Sequence, residues 1–306
     1  MSTPARAKSK QHPNPARPVR SLASAPGTDE RLMRDAIAWG ADALLVDICD
    51  AVAPSRRLEA RTTAIAAFKK LGKRIPIFVK LNHMDEPSFE EEIHALACPE
   101  LHCMMLPHIT GPDEVRQFAS LLDDVERKKG MTPGYTRIYP IVELAQAARN
   151  AYEMATATPR VAYMGGGTSR GGDITMSLGF SWTADGLETL YLRSKVLLDV
   201  RAAGVEYPIT GFTPIELTAL TRFCEQSKQL GYAGTMVHAR PEAIKIVNEI
   251  FSPTPDEISR FTRILEEHDR LGKAAPELVD DGQGHRILAA YARKRLSLAR
   301  RLGLTP

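Results

Sequence analysis

Short apolar runs alternate with longer amphipathic segments all the way from Ser21 to the stretch before Phe251, and nothing else in the chain constrains its fold so strongly. The runs are Ser21 to Ala25, Ala43 to Val46, Ile75 to Leu81, Cys103 to Leu106, Arg137 to Val142, Val161 to Met164, Tyr207 to Thr210 and Gly234 to Val237. Ala43 to Val46 is continuously apolar, as a strand buried on both faces requires. Between the runs, helices are expected over Glu30 to Trp39 (capped by Asp29 and stopped by Gly40), Ser55 to Leu71, Ser88 to Ala97, Pro112 to Lys129, Leu144 to Ala157, Gly186 to Ala203 and Pro214 to Leu230. Eight strand–helix units over about 230 residues argue for an α/β chain closed into a (β/α)8 TIM barrel, with an open doubly wound sheet as the alternative. No Gly-rich dinucleotide fingerprint follows the first run, which counts against the alternative.

The ends differ in character. Met1 to Val19 is Pro-rich and basic, with Arg6, Lys8, Lys10 and Arg17 and almost nothing apolar, so a disordered tail is expected. The barrel is expected over residues 20–251 and a C-terminal helical extension over 252–306. That extension reads as a helix from Pro255 to about Leu271, a bend around Val279 to Gly282, and a basic amphipathic helix from Ile287 to Leu302. An apolar stripe on such an extension suits packing on its own barrel or, the favoured reading, on a neighbouring subunit.

A net charge of +3 is too small to argue for nucleic acid, and no apolar run approaches the roughly 20 residues that span a membrane. Cys49, Cys98, Cys103 and Cys224 have no CxxC spacing and read as free thiols in a reducing compartment. With no apolar stretch at the N-terminus to serve as a signal peptide, a cytoplasmic protein is expected.

The chemistry centres on two strand ends. Arg137 to Val142 finishes on Glu143, and about thirty residues later Val161 to Met164 opens into Gly165-Gly166-Gly167-Thr168-Ser169-Arg170-Gly171-Gly172-Asp173. One βαβ unit takes that length, so Glu143 and Asp173 are expected beyond the C-terminal ends of neighbouring parallel strands, where α/β folds bind ligands. Two carboxylates there suit a hard divalent cation such as Mg²⁺. The alternative is an ordinary strand-end Glu and an ordinary acidic loop residue. Arg170 with Gly171 and Gly172 offers a cation and backbone donors to an anionic substrate, or is simply a flexible stretch.

Several motifs together resemble a known family. Arg20-Ser21 with Pro26-Gly27, then Gly40-Ala41-Asp42-Ala43 and Asp47-Ile48-Cys49-Asp50-Ala51-Val52-Ala53-Pro54, resemble the opening of the citrate lyase β-subunit and malyl-CoA lyase members of the HpcH/HpaI aldolase family. Arg57, Ala60 and Arg61 continue the likeness, as do Leu178-Gly179, Leu192-Arg193, Gly231-Tyr232-Ala233-Gly234, His238 and Asn248-Glu249-Ile250-Phe251-Ser252-Pro253. The resemblance implies a TIM barrel assembled as a homotrimer or homohexamer, with Mg²⁺ (or Mn²⁺) held by Glu143 and Asp173. It implies reversible carbon–carbon cleavage of an acyl-CoA or 2-oxo acid through a metal-stabilised enolate, with Asp47 or Asp50 moving the proton. Lys80, Pro26, Gly27, Arg170, Gly172 and His238 are the implied substrate contacts.

The chain departs from that pattern in its substrate shell. Cys49 stands where the CoA-lyase branch has Glu, and Lys80-Leu81-Asn82 where the family has Arg-Val-Asn. Lys keeps the charge and loses the bidentate fork. His108 replaces a Lys after Leu-Pro, and Arg286 stands where the end motif Asp281-Gly282-Gln283-Gly284-His285 closes on an Asp in malyl-CoA lyases. The leading expectation is a lyase acting on a hydroxyacyl-CoA thioester. A class II pyruvate-type aldolase on 4-hydroxy-2-oxo acids is the second, and a non-catalytic CoA-binding or assembly member of the family the third.

Overall fold

The computed structural model describes residues 12–166, 171–272 and 275–305. Eight strands make one parallel sheet: β1 (Ser21–Pro26), β2 (Ala43–Asp47), β3 (Ile77–Lys80), β4 (Cys103–Leu106), β5 (Arg137–Val142), β6 (Gly165–Gly166), β7 (Ile209–Phe212) and β8 (Gly234–His238). Their order is β6-β5-β4-β3-β2-β1-β8-β7, so the first strand lies mid-sheet, with Leu22 opposite Ala43 on one side and Met236 on the other. The two ends of that order meet: the Ile209 N–H donates to the Met164 carbonyl at 3.4 Å. A Cβ on Gly165 would fall 2.0 Å from the Ile209 carbonyl oxygen, so glycine is what lets the seam close. Tyr139 of β5 reaches the same carbonyl with its hydroxyl at 2.8 Å. The result is a (β/α)8 barrel whose strands are buried on both faces.

The helices are α1 (Glu30–Ala38), α2 (Arg57–Leu71), α3 (Phe89–Leu96), α4 (Pro112–Lys128), α5 (Ala145–Arg149), α6 (Ala151–Thr156), α7 (Asp173–Leu178), α8 (Leu190–Ala202), α9 (Leu217–Leu230) and α10 (Pro241–Phe251). Asp29 caps α1 as the sequence indicates, its Oδ1 accepting from the Leu32 N–H at 2.8 Å. Three expectations need correction. The helix expected over Leu144 to Ala157 breaks at Asn150, whose side-chain amide donates to the Thr110 carbonyl. The strand expected over Val161 to Met164 bridges β5 only at Val161, and the ladder with β5 forms at Gly165–Gly166 instead. Of the tail expected to be disordered over Met1 to Val19, residues 1–11 lie outside the described residues, and His12 to Val19 is held against the barrel. Asn14 donates to the His102 carbonyl at 3.0 Å, its own carbonyl accepts from Arg137 Nε at 2.6 Å, and Val19 is fully buried. Groups at the N-terminal ends of β4 and β5 bind the Asn14 side chain and carbonyl, which apolar counting does not register.

The described residues fall into two compact units, divided between Ile250 and Phe251. The second consists of α11 (Pro255–Leu271), a hairpin of β9 (Leu278–Asp280) with β10 (Arg286–Leu288), and α12 (Ala289–Arg301). Thr254 and Glu257 cap α11 reciprocally, at 3.1 and 2.9 Å. Phe261, Ile264, Val279, Ala289, Ala292 and Leu296 form its core. The bend expected around Val279 to Gly282 is this hairpin, and Asp281 organises its turn. The Asp281 carboxylate accepts the Gln283 and His285 N–H groups at 2.8 and 3.0 Å and is bound by Arg260. No helix among the described residues is long and apolar enough to cross a membrane.

Candidate active site

Because the eight strands are parallel, their C-terminal ends share one rim, and the ionisable residues gather there. Asp47, Lys80 and His238 are the last residues of β2, β3 and β8; Glu143 follows β5, His108 lies two residues beyond β4, and Asp173 opens α7. A cavity of about 510 Å³ is lined by Asp50, Lys80, Glu143, Asp173 and His238 on its polar side. Ile141, Ile174, Phe212, Pro214 and Met236 supply its apolar side. This volume is that of a small-molecule site.

Lys80 and Glu143 are 5 % and 8 % exposed. The Lys80 ammonium binds Asp50 and lies 3.8 Å from Glu143 Oε2. Burial opposes its charge, but Glu143 and Asp50 outweigh burial and hold its pKa above the ordinary lysine value. Burial pushes the Glu143 carboxyl above the usual carboxylate range, against the pull of Lys80 and the His108 N–H. For Asp50, burial acts upward but Lys80 prevails, and the net shift is downward. Glu143 Oε1 accepts the His108 N–H at 2.6 Å, and His108 Nε2 stands 3.3 Å from Asp173 Oδ1.

Ligand atoms of His108, Glu143 and Asp173 lie within 4.8 Å of one another, close enough to share one cation. Among the described residues, three carboxylates, Asp50, Glu143 and Asp173, line the cavity with one ammonium, Lys80. A fourth acid at the wall, Glu216, is occupied in capping α9, accepting from the Thr218 and Ala219 N–H groups at 2.8 and 2.7 Å. The excess of negative charge and the oxygen donors both fit a divalent cation.

Asp50, Lys80, Glu143, Gly172, Asp173 and His238 line the cavity. Asp47 is buried beneath its own turn, its Oδ1 accepting from the Cys49 N–H at 2.9 Å and the Ala51 N–H at 3.4 Å, so its role is to shape the loop that carries Asp50. Pro26 and Gly27 are not among the lining residues. A Cβ on Gly27 would fall 2.7 Å from Ile48 Cγ2, so the glycine serves the packing of β1's end on the loop after β2. Arg170 lies outside the described residues. Burial raises the Cys49 thiol pKa, and Cys49 is buried and donates to Asp50 Oδ1 at 3.2 Å, so it is a poor nucleophile. His108 was not expected at the site as a ligating group. The signal was its position two residues beyond a strand end, on the rim that already held Glu143 and Asp173. Phe212, which stacks on His238 at 5.0 Å, gave none, since an apolar residue at a strand end reads as core.

Comparison with known proteins shows the family to which the chain belongs. A family model described as HpcH/HpaI aldolase/citrate lyase matches residues 20–257. The chain belongs to that family. Within HpcH/HpaI, it is 28 % identical to the citrate lyase subunit beta of Leuconostoc mesenteroides over 80 % of this chain and 81 % of the relative. It is 29 % identical to a (3S)-malyl-CoA thioesterase of Cereibacter sphaeroides, over 93 % and 95 % of the two chains. The human mitochondrial citramalyl-CoA lyase is 25 % identical over 84 % and 79 %. The Mycobacterium tuberculosis CitE, crystallised with magnesium, acetoacetate and coenzyme A, superposes with a TM-score of 0.68 over 94 % of this chain and 98 % of that one, at 20 % identity. Its likeness supports the barrel fold.

Proposed function

We propose that the protein is a divalent-cation-dependent carbon–carbon lyase that cleaves, or in reverse forms, a hydroxyacyl-CoA thioester. The observation that carries this reading is the convergence of Glu143 and Asp173, from separate segments, beside the Lys80 ammonium in one cavity. Glu143 and Asp173 would hold the cation, Mg²⁺ in the first instance, which when bound supplies Lewis-acid polarisation of a carbonyl oxygen. The chain's own residues do the rest. Asp50, ionised at neutral pH beside Lys80, takes the substrate hydroxyl proton as the carbon–carbon bond breaks; the bond's electron pair passes to the thioester enolate, and a proton delivered to its α-carbon completes the shortened acyl-CoA. Lys80 offers an ammonium N–H to a substrate carboxylate and offsets the negative charge that develops beside the thioester carbonyl. The cavity accommodates a short acyl group, so the nucleotide of a CoA thioester would lie outside it.

The relatives named as a citrate lyase subunit and a citramalyl-CoA lyase support cleavage at carbon. The likeness to a malyl-CoA thioesterase over nearly the whole of both chains favours a second reading, in which the thioester itself is hydrolysed. The two differ in products. A panel of hydroxyacyl-CoA thioesters, assayed with and without Mg²⁺, should release an oxo compound and a shortened acyl-CoA. Release of free CoA thiol with no oxo product would favour hydrolysis. Cleavage of 4-hydroxy-2-oxo acids alone would make the protein a pyruvate-type aldolase, and no turnover at all a non-catalytic family member.

We also read the protein as a homo-oligomer, a trimer or hexamer, with the C-terminal unit as the element that packs on a neighbouring subunit. Tyr191 and Leu198, two turns apart on one face of α8, are 80 % and 69 % exposed, which supports a covered surface on the barrel unit too. Light scattering that reports a monomer at all concentrations would overturn this part.

A further inference from the structure

We propose that His108 is a third protein ligand of the cation site, making it a mixed imidazole–carboxylate site that prefers a transition-metal dication of the Mn²⁺ or Co²⁺ kind to Mg²⁺. The inference rests on the reading above that Glu143 and Asp173 hold a cation, and goes beyond it in naming the donor that sets which cation.

The backbone supplies the first argument. Among the described residues His108 alone, glycine aside, has a positive φ, 53°. The left-handed region costs a side-chain-bearing residue of order 1 kcal/mol or more and persists only where surroundings over-determine it, often at ligand sites. Here two contacts do so. The His108 N–H donates to Glu143 Oε1 at 2.6 Å, and the imidazole stacks on His83 with centroids 4.0 Å apart and planes at 26°. Both act to fix the ring over the rim, with Nε2 directed at the two carboxylates.

Distances supply the second. A cation bound at about 2.1 Å has neighbouring octahedral donors roughly 3.0 Å apart and opposite donors roughly 4.2 Å apart. His108 Nε2 stands 3.3 Å from Asp173 Oδ1 and 4.0 Å from Glu143 Oε1. Both distances suit donors around one ion, and His108, Glu143 and Asp173 offer ligand atoms that lie within 4.8 Å of one another. Lys80 makes its approach to Glu143 at the other oxygen, Oε2, at 3.8 Å.

Donor chemistry supplies the third. Mg²⁺ favours oxygen donors and water, whereas imidazole adds affinity for later first-row dications, in the order Mn²⁺ below Co²⁺. One imidazole with two carboxylates is thus a different selectivity device from two carboxylates alone. The competing account makes His108 and Asp173 a simple ion pair that no cation enters.

The test is direct binding on the full chain, with His108→Asn and His108→Gly as variants. Asn tolerates a positive φ, and Gly removes the backbone strain outright, so both keep the fold testable. Pulsed electron paramagnetic resonance of bound Mn²⁺ should show coupling to a histidine ¹⁴N in the wild type and none in either variant. By calorimetry, Co²⁺ and Mn²⁺ should each bind roughly tenfold or more weakly to the variants, while Mg²⁺ changes by less than about threefold. Bound Mn²⁺ without ¹⁴N coupling, or equal losses for Mg²⁺ and Co²⁺, would overturn the role of His108 and leave the carboxylate site standing. A wild type that binds none of the three ions would overturn both.

Discussion

The Lys80 ammonium lies between two carboxylates of opposite circumstance, bound to half-exposed Asp50 and 3.8 Å from buried Glu143. Removing it would leave Glu143 buried with no cation, so its carboxyl would take up a proton more readily. Lys80→Met should therefore weaken cation binding as well as raise KM for carboxylate-bearing substrates by about tenfold or more, a loss of roughly 1.4 kcal/mol. Lys80→Arg keeps the charge, and should recover cation binding while leaving KM raised, because the planar fork does not fit a space shaped for an ammonium. Steady-state kinetics with parallel calorimetry separates the two effects. Unchanged KM in both variants would reduce Lys80 to a structural ion pair.

Glu143→Gln and Asp173→Asn should each lower turnover by about 10²–10⁴-fold through lost cation affinity. Stability should change by less than about 1 kcal/mol, since each replacement is isosteric and neither carboxylate supports the core. Calorimetry and thermal melts check the pair of expectations. A variant that turns over normally would remove its carboxylate from the mechanism.

At the other end of the barrel, burial lowers the His102 pKa to about 3, and its Nε2 meets the Tyr163 hydroxyl at 2.9 Å. A histidine held neutral when folded but titrating near 6.5 when unfolded contributes stability above pH 6.5, and loses it as pH falls toward the folded value. At pH 5 the loss is on the order of 2 kcal/mol. Melting temperature should fall from pH 6.5 to 5, and His102→Gln should flatten that dependence. An equal slope in wild type and variant would assign the acid sensitivity elsewhere.

Deleting residues 1–19 should destabilise the barrel, contrary to what their composition suggests. The cut leaves the His102 carbonyl, Arg137 Nε and the Tyr163 hydroxyl without the Asn14 and Arg17 groups they now meet. A few buried polar groups at about 1–3 kcal/mol each amount to a fall of roughly 5–10 °C in Tm. An unchanged melt would mean that water replaces all three partners.

Gly165→Ala tests the seam. The new methyl would meet the Ile209 carbonyl at 2.0 Å, so the substitution should open the β6–β7 junction and cost several kcal/mol, or prevent folding. Gly40→Ala is the control: its φ of +85° makes alanine strained, but nothing lies within 4 Å, and about 1 kcal/mol is expected. Similar melts for the two would show that the seam tolerates the methyl by local adjustment.

The alternation of apolar runs carried the architecture without help from tertiary contacts. A strand such as Ala43 to Asp47, buried on both faces, must be apolar throughout, and each amphipathic helix must bury its stripe on the sheet. It also placed Glu143 and Asp173 on one rim, because parallel strands put every strand-end residue on the same side. What local pattern could not decide was everything set by partners distant in the chain. The two-residue strand Gly165–Gly166 exists because Val142 and Ile209 flank it, and a pair of glycines has no strand preference of its own. Asn14 to Val19 is ordered by backbone and side-chain groups about 90 to 150 residues away, invisible to a composition argument. The same holds at the site. That Asp47 is spent on its own turn while Asp50 meets Lys80, and that His108 turns its imidazole toward Asp173 through a left-handed backbone, are matters of side-chain direction. Sequence determines which residues reach the rim; only the closed barrel decides which way each one points, because direction is fixed by neighbours brought from other strands.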